Sequence, residues 1–351
     1  MRRAQSSVTR NLRHRAVSLA ATSMLILTGV TTAGPAAAQD RPTAGAHFTQ
    51  ADRPYHAIDL GFTVLNWSLT INDRGQVAGS GNGIGYLWQD GQLTPLGRPA
   101  GYDRFWAREI NEAGSVVGTA TGSLNGSQAA VWQPGSFTLI DRLRDDATSS
   151  YGISINDWGV VFGTGESTSP DQSFKWHRGT LTPLWHNNPY TNQVGINNWG
   201  DIVGEYEPTP GYPCDCRAAR WHRGVLTDLG DLGGDGLWPN QPADVNNRRE
   251  IVGHSTTPEL EQHAYLWRDG VIRDLGTLGG AHSFAVAISD RSVVIGHADT
   301  ADGGRHPFLW RAGTMIDLTT LGLRATDEVV EINSAGQIVG IRDGRATLFV
   351  R

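Results

Sequence analysis

Three ionisable side chains hold equivalent places in a repeating pattern, directly after the glycine that closes a short Val/Ile-rich segment. They are Glu205, His254 and His297. A carboxylate and two imidazoles can transfer protons or bind metal ions. Equivalent positions in adjacent repeats should lie roughly 10 Å apart, whereas a metal–nitrogen bond is about 2 Å long. The pattern therefore predicts no metal site, and it leaves an acid–base site or a ligand-binding rim as the functional interpretations.

Two further histidines follow nine residues after His254 and His297, across the same loops. They are His263 and His306, and they recur with the repeat itself. This recurrence favours histidines that are hydrogen-bonded within the fold and have a structural role.

Two large aromatic side chains are predicted at turn tips. Trp158 and Trp199 hold the third position of an Asn-x-x-Gly turn in adjacent repeats, where the other repeats have Arg or Ala. Aromatic rings stack well on flat apolar faces, including those of sugars. The pair therefore predicts a platform for a sugar, unless each indole folds down over its own repeat.

The two cysteines, Cys214 and Cys216, lie in one long loop. A disulfide is chemically available in an oxidising compartment, although a single intervening residue makes the ring small and strained. Free thiols or a transient redox pair are the alternatives. Without another Cys or His beside them, a zinc site is not expected.

Other chemistry-bearing motifs are missing from the sequence. It contains no nucleophile motif, no phosphate-binding loop and no HExxH metal motif. A glycine-rich segment at 233–236 lies between repeats, without the strand–helix setting that a nucleotide site needs. We therefore assign no catalytic residue, no metal and no cofactor, and the balance is against an enzyme.

The residues above are positioned by a repeat of 39 to 49 residues, which is marked by an Asn-x-x-Gly turn. The turns begin at Asn72, Asn111, Asn156, Asn197, Asn246 and Asn333, with Ser289 in the sixth place. The third strand of each repeat ends in Trp88, Trp132, Trp176, Trp221, Trp267, Trp310 or Phe349. Asn and Gly suit a tight hairpin turn, and Arg249 and Ser292, which replace the Gly, predict turns that are slightly strained or differently built. The period matches a four-stranded propeller blade.

The seventh repeat stops after its third strand, at Arg351. Its missing fourth strand is found near the other end of the chain, where residues 55–61 resemble residues 272–276 and share Asp-Leu-Gly. An open solenoid has no reason to split a repeat between its ends, whereas a closed ring does. We therefore predict an all-β fold: a seven-bladed β-propeller over residues 55–351, with four-stranded blades and the last blade closed by an N-terminal strand.

A propeller has two faces. The tight-turn face carries the connections after the first and third strands of each blade, and the variable-loop face carries those after the second and fourth. Long polar loops at 205–217, 231–242, 254–262 and 298–305 fall on the variable-loop face. Loop variation confined to one face indicates a binding face. We therefore expect binding there, at Glu205, His254 and His297, although Trp158 and Trp199 argue for the opposite face.

The motifs of the fifth repeat carry a family resemblance. They are His263-Ala264-Tyr265-Leu266-Trp267 and, after them, Asp-Leu-Gly-Thr-Leu-Gly-Gly at 274–280. With Ile-Asn-x-x-Gly and Val-Val-Gly, they make the chain resemble the HAF-type extracellular repeat proteins of bacteria over all seven repeats. The His-Ala-Phe tripeptide itself is poorly kept. The resemblance implies an exported repeat protein and supplies no catalytic residue.

The N-terminus is predicted to be a secretory signal peptide over residues 1–38, with a basic head, an apolar segment and small residues at a cleavage site. Residues 39–54 read as a flexible arm. Without the signal peptide, the chain contains 24 basic and 35 acidic residues. This acidic balance disfavours nucleic acid and anionic lipid as partners, and no later segment is long and apolar enough for membrane insertion.

The functional prediction is a secreted, extracellular and non-catalytic binding or scaffold propeller, monomeric, for cell-surface glycan or protein. The alternative is a secreted hydrolase or lyase that uses Glu205, His254 and His297 as acid–base groups near the channel mouth. A close cluster of carboxylates and His in the central channel would favour the enzyme. Exposed aromatics around a water-filled channel would favour binding.

Overall fold

The structure is a computed structural model. It describes residues 53–64, 68–143, 147–166, 172–184, 193–206, 208, 216–234 and 240–351. The predicted signal peptide lies outside the described residues, as does the predicted arm except for Arg53 and Pro54. The part of the chain that the structure describes contains no helix long and apolar enough to span a membrane.

The described chain forms 28 strands in seven antiparallel four-stranded sheets. Strand β1 is His56–Thr63, and blade 1 contains β2 (Leu69–Ile71), β3 (Val77–Gly81), β4 (Ile84–Gln89) and β5 (Gln92–Gly97). Blade 2 contains β6 (Arg104–Ile110), β7 (Val116–Gly122), β8 (Gly126–Gln133) and β9 (Ser136–Leu139). Blade 3 contains β10 (Ser149–Ile155), β11 (Val161–Glu166), β12 (Gln172–His177) and β13 (Thr180–Leu184). Blade 4 contains β14 (Gln193–Ile196), β15 (Ile202–Tyr206), β16 (Arg217–His222) and β17 (Val225–Asp228).

The remaining strands complete the ring. Blade 5 contains β18 (Gln241–Val245), β19 (Ile251–Thr256), β20 (Gln262–Arg268) and β21 (Val271–Asp274). Blade 6 contains β22 (Gly279–Ile288), β23 (Val294–Thr300), β24 (Arg305–Arg311) and β25 (Thr314–Asp317), and a short 3-10 helix, Leu318–Leu321, follows it. Blade 7 contains β26 (Glu328–Ile332), β27 (Ile338–Arg342) and β28 (Arg345–Val350). The prediction of a seven-bladed β-propeller is confirmed.

The fourth strand of blade 7 comes from the N-terminal part of the propeller. β1 pairs with β28 in antiparallel register, from His56 opposite Val350 to Thr63 opposite Arg345. The Asp59 carboxylate accepts a hydrogen bond from Arg345 Nε at 2.6 Å, and its other oxygen accepts one from the Gly61 N–H at 2.8 Å. The ring is therefore closed by a strand that is distant in sequence, as the split repeat predicted.

The shared aromatic residue of each blade is a packing element. Trp267 belongs to a buried cluster that also contains Val203 and Ala218 of the preceding blade. Phe349 likewise packs with Ile295 and Leu309 of blade 6. Large buried aromatics contribute most of the apolar area that holds sheets face to face. The blades are thus joined mainly by apolar contact between neighbours.

An extra residue interrupts the innermost strand of six blades. The pairing register shifts at these residues: Arg108, Ile153, Val194, Ala243, Val286 and Val330. A β-bulge of this kind leaves backbone groups outside the ladder and re-aims the side chain that follows. The residue after each bulge therefore becomes available for contacts around the central channel.

Candidate binding face

The tight-turn face is organised by the asparagines that begin the Asn-x-x-Gly turns. In blade 3 the Oδ1 of Asn156 accepts hydrogen bonds from the N–H groups of Trp158 and Val160, at 3.1 and 3.0 Å. Its Nδ2 donates to the Asn197 carbonyl of the next blade at 3.1 Å. The same blade-to-blade bond, at 3.0 to 3.1 Å, is made by Asn72, Asn111, Asn156, Asn197, Asn246 and Asn333. We call these six residues the asparagine ring.

Two of these turns lack the glycine in their fourth place. Arg249 and Ser292 have φ values of 63° and 59°, in the left-handed region that favours glycine. Each still donates its N–H to the first residue of its turn, Asn246 or Ser289, at 3.1 and 2.9 Å. The prediction of strained turns agrees with these angles, and the turns keep the shape of the others.

The second residue of each turn forms another series of hydrogen bonds from blade to blade. The N–H of Glu112 donates to the Asp157 carboxylate at 2.9 Å, and the N–H of Asp157 donates to Oδ1 of Asn198 at the same distance. Equivalent acceptors are Asp73, Glu112, Asp157, Asn198, Asn247 and Asp290. We call them the acceptor ring. Together the two rings hold the turn tips in fixed positions around the channel mouth.

The two tryptophans lie on this rigid face and remain exposed. The Trp158 side chain is 68% exposed and that of Trp199 is 59% exposed. Trp158 Nε1 donates to the Asn198 carbonyl at 3.1 Å, and Trp199 Nε1 donates to the Asn247 carbonyl at 2.7 Å. Each indole therefore leans towards the turn of the next blade rather than folding over its own.

A cation stacks on one of the two indoles. The Arg249 guanidinium carbon lies 4.8 Å from the centre of the Trp199 ring, a cation–π distance. The Arg249 Nε also lies 3.3 Å from the buried Asp201 carboxylate. These contacts fix the tilt of the Trp199 ring. A pre-positioned aromatic surface binds a flat apolar face with little loss of side-chain entropy.

Glu205, His254 and His297 lie between blades and are not brought together into one cluster. The Glu205 side chain is buried, with 7% exposed. The pKa of Tyr265 in blade 5 is raised, first by the burial of Tyr265 itself and second by the charge of Glu205. The His254 ring packs edge-on against Phe284 of blade 6, with centres 4.9 Å apart, and burial lowers its pKa to about 4. Their role in ligand binding stays a prediction.

His297 lies at the junction between blades 6 and 7. Its Nε2 is 3.4 Å from the Asp327 carbonyl of blade 7, and burial is the main cause of its lowered pKa. An imidazole whose pKa is lowered in this way is neutral at pH 7. The three residues therefore occupy three successive interblade junctions, of blades 4 and 5, 5 and 6, and 6 and 7.

The recurring histidines are bonded within their own blades. His263 Nδ1 lies 2.8 Å from Oδ2 of Asp274, and His306 Nδ1 lies 2.8 Å from Oδ2 of Asp317. Each Asp belongs to the segment that follows the third strand, so the pair ties the third and fourth strands together. This geometry agrees with the structural role predicted for both histidines.

Cys214 lies outside the described residues, whereas Cys216 is described. The disulfide between them therefore stays a prediction.

The sequence analysis missed three carboxylates that line the central channel. Glu109, Asp244 and Glu331 each follow a bulge, and they border a cavity of about 650 Å³. Their oxygens accept hydrogen bonds from N–H groups of the next blade: Glu109 from Ile155 at 3.3 Å, Asp244 from Ile288 at 2.8 Å and Glu331 from Ile71 at 3.1 Å. An acidic residue two places before the turn asparagine, within an apolar strand, was the available signal.

The channel raises the pKa of all three carboxyl groups. Desolvation is the main cause, and it raises the pKa of Glu109 to about 8 and that of Asp244 to about 6. Desolvation and then the Glu109 charge raise the pKa of Glu331. Within the described residues, no group of three or more His, Cys, Asp or Glu side chains could hold a metal ion. The channel thus holds the carboxyl groups of the cluster that would favour an enzyme, but no His lines it among the described residues. Each carboxyl accepts a hydrogen bond from the next blade.

Comparison with known proteins supports the fold. No protein-family model matches the chain, and no curated protein matches its sequence. The streptogramin B lyase structure is similar with a TM-score of 0.53 at 13% identity, covering 86% of this chain and 99% of that chain. A chain of the mitotic checkpoint complex is similar with a TM-score of 0.55 at 12% identity, covering 92% and 98%. At these identities the similarity shows the propeller fold alone.

Proposed function

We propose that this protein is a secreted, non-catalytic binding propeller that takes an extracellular glycan on its tight-turn face. The observation that carries the proposal is the exposed pair Trp158 and Trp199, each fixed by an indole hydrogen bond to the next blade. Large exposed aromatics are costly in water unless they contact a partner. Stacking on sugar rings suits their flat, rigid presentation.

Two features of the sequence support the extracellular setting. The N-terminal segment has the composition of a secretory signal peptide, and the repeat motifs resemble those of HAF-type extracellular proteins. A protein ligand on the same face is the other partner class that the exposed aromatics suit.

The alternative of a hydrolase or lyase is less well supported by the positions of its residues. Acid–base catalysis needs its groups within hydrogen-bond reach of one substrate. Glu205, His254 and His297 instead lie in separate interblade junctions, where His254 packs against Phe284. His254 and His297 are half-buried, and each contacts a different neighbouring blade.

The proposal is tested with a glycan array and the double variant Trp158→Ala with Trp199→Ala. We expect the dissociation constant to rise about fivefold or more, since two stacking contacts of about 0.5–1.5 kcal/mol each are lost and 1.4 kcal/mol is a factor of ten. The matched control is Val225→Ala with Val271→Ala, which also removes exposed apolar side chains. Glu205→Ala with His254→Ala, compared at equal folded concentration, tests the variable-loop prediction. Loss of binding only in this last variant would refute the tight-turn site.

A further inference from the structure

The junction between blades 6 and 7 differs from the other junctions around the ring. The asparagine ring skips it, because Ser289 has no side-chain amide that could reach Asn333 of blade 7. The acceptor ring skips it as well, since no hydrogen bond joins Asp290 to Ser334 among the described residues. Ala287, which follows the bulge in blade 6, has no side-chain acceptor for blade 7 either. Three series of polar links are therefore missing at one place.

A cleft of about 600 Å³ opens at this junction. Its volume lies within the range of small-molecule sites, about 300–1,000 Å³. Four arginines line it, Arg53, Arg291, Arg311 and Arg351, and none of the residues that line it is acidic. The chain as a whole has a net charge of −6. The cleft is therefore locally basic on a chain that is acidic overall.

The arginines belong to different parts of the junction and face one space. Arg291 is the third residue of the blade 6 turn, and Arg311 is the last residue of the third strand of that blade. The Arg351 guanidinium carbon lies 4.3 Å from the centre of the Tyr55 ring, and the Tyr55 hydroxyl donates to the Gly336 carbonyl of blade 7 at 3.1 Å. Tyr55 is buried, so it holds Arg351 against the wall of the cleft.

Two of the four cations are available to a ligand. Arg53 and Arg291 are exposed, and no hydrogen bond or ion pair holds their side chains among the described residues. Guanidinium groups bind carboxylate and sulfate oxygens in forked pairs. Four like charges around one cleft repel one another, and a bound anion would relieve that repulsion.

The cleft continues a row of side chains on the tight-turn face. Trp158, Trp199, Arg248 and Arg291 hold the same turn position in four consecutive blades. Neighbouring tips should lie roughly 10 Å apart, so the row spans several sugar units. Aromatic contacts followed by cationic ones match a polysaccharide that carries anionic groups.

We propose that the cleft between blades 6 and 7 is an anion subsite, which takes a carboxylate or sulfate group of an acidic polysaccharide. This inference rests on the proposed glycan binding and specifies its ligand class. The charged group would lie between Arg53 and Arg291, with Arg311 and Arg351 behind it. The sugar chain would run from the cleft towards Trp199 and Trp158.

Binding is measured by calorimetry with three polymers: polygalacturonate, which carries carboxylates, dextran sulfate, and neutral dextran. We expect at least one anionic polymer to bind at least tenfold more tightly than dextran. Comparison of polygalacturonate with dextran sulfate shows whether the subsite prefers a carboxylate or a sulfate group. The variant Arg53→Gln with Arg291→Gln should weaken that binding at least tenfold. Arg98→Gln with Arg104→Gln removes the same charge from exposed positions on the variable-loop face and should change it less than twofold.

The outcomes separate this inference from the proposed function. If both arginine double variants behave alike, or if single-stranded DNA binds as tightly as the acidic polysaccharides, the anion subsite is overturned. If Trp158→Ala with Trp199→Ala loses dextran binding while the two arginine variants bind alike, glycan binding stands without the subsite. If only Arg53→Gln with Arg291→Gln weakens binding, the subsite stands and the tryptophan platform fails.

Discussion

At the scale of single residues, the turn asparagine performs two tasks at once. Its side-chain oxygen accepts hydrogen bonds from two N–H groups of its own turn, as that of Asn156 does from Trp158 and Val160. Its amide nitrogen donates to the next blade. A buried side-chain amide must use both ends, because an unpaired polar group in the interior costs about 1–3 kcal/mol. The same residue thus shapes the turn and links the ring.

The channel carboxyls make stability depend on pH. The pKa of Glu109 in the folded protein is about 8, above an unfolded value near 4.3. The folded state therefore holds the proton more tightly, and the free energy of unfolding should fall as pH rises from about 4 to about 8. His254 and His297, whose pKa values are lowered, have the opposite effect, which fades above about pH 7.5 as the unfolded histidines lose their protons. Their contribution is the same in a carboxyl variant and in the parent protein, so the difference between the two slopes isolates the carboxyls.

We predict that Glu109→Gln flattens the fall in unfolding free energy between pH 6.5 and 8. Gln keeps an oxygen that can accept the Ile155 N–H and cannot ionise beside Asp244 and Glu331. Urea unfolding at pH 6.5, 7.25 and 8 measures the slope for the variant and the parent protein. Glu259→Gln, at an exposed site, is the control and should leave the slope unchanged. An equally steep slope in Glu109→Gln would contradict this account of the channel.

Part of the residue-scale chemistry could be predicted from the sequence. Asn and Gly at fixed spacing indicated the turn, because their local conformational preferences do not depend on distant partners. The donation from Asn156 to Asn197 could not be predicted, since it joins residues 41 positions apart. The channel acids were missed for a similar reason. Only the bulges of the inner strands show that Glu109 and Glu331 face the channel.

At the scale of elements, β1 is the strand on which closure depends. It buries Tyr55 beside it and Leu60 within it, and Asp59 pairs with Arg345 of β28. In blades 5 and 6, Asp274 and Asp317 pair in the same way with His263 and His306. The Asp-Leu-Gly motif of β1 therefore repeats a contact that other blades make within one continuous stretch of chain.

Removal of residues 39–61 should lower the melting temperature by about 6–24 °C. Two buried side chains contribute about 1.5–3 kcal/mol each, and each 1 kcal/mol shifts the midpoint of a large domain by about 2–4 °C. Removal of residues 39–50 should have almost no effect, since β1 stays intact. Differential scanning calorimetry compares the two truncations. Equal and small shifts would show that β1 does not hold the ring closed.

At the scale of the whole molecule, the fold followed from the sequence while the binding face did not. Seven turn motifs, seven shared aromatics and a split repeat were enough to predict the ring. Loop length pointed to the variable-loop face, but it gives no information on burial. Glu205 and His254 follow a closing glycine in mid-strand, where Glu205 is buried and His254 is half-buried against Phe284 of the next blade. The exposure of Trp158 and Trp199, by contrast, follows from their place at turn tips.

The most direct test of the tight-turn binding face is hydroxyl-radical footprinting with mass spectrometry, with and without polygalacturonate. Trp158 and Trp199 are exposed and should be oxidised readily in the free protein, while buried Trp267 is the internal reference. We predict that saturating polysaccharide lowers the oxidation of both exposed tryptophans at least threefold and leaves Trp267 unchanged. Unchanged oxidation of Trp158 and Trp199, together with protection of the 254–262 loop, would contradict the account and move the binding site to the variable-loop face.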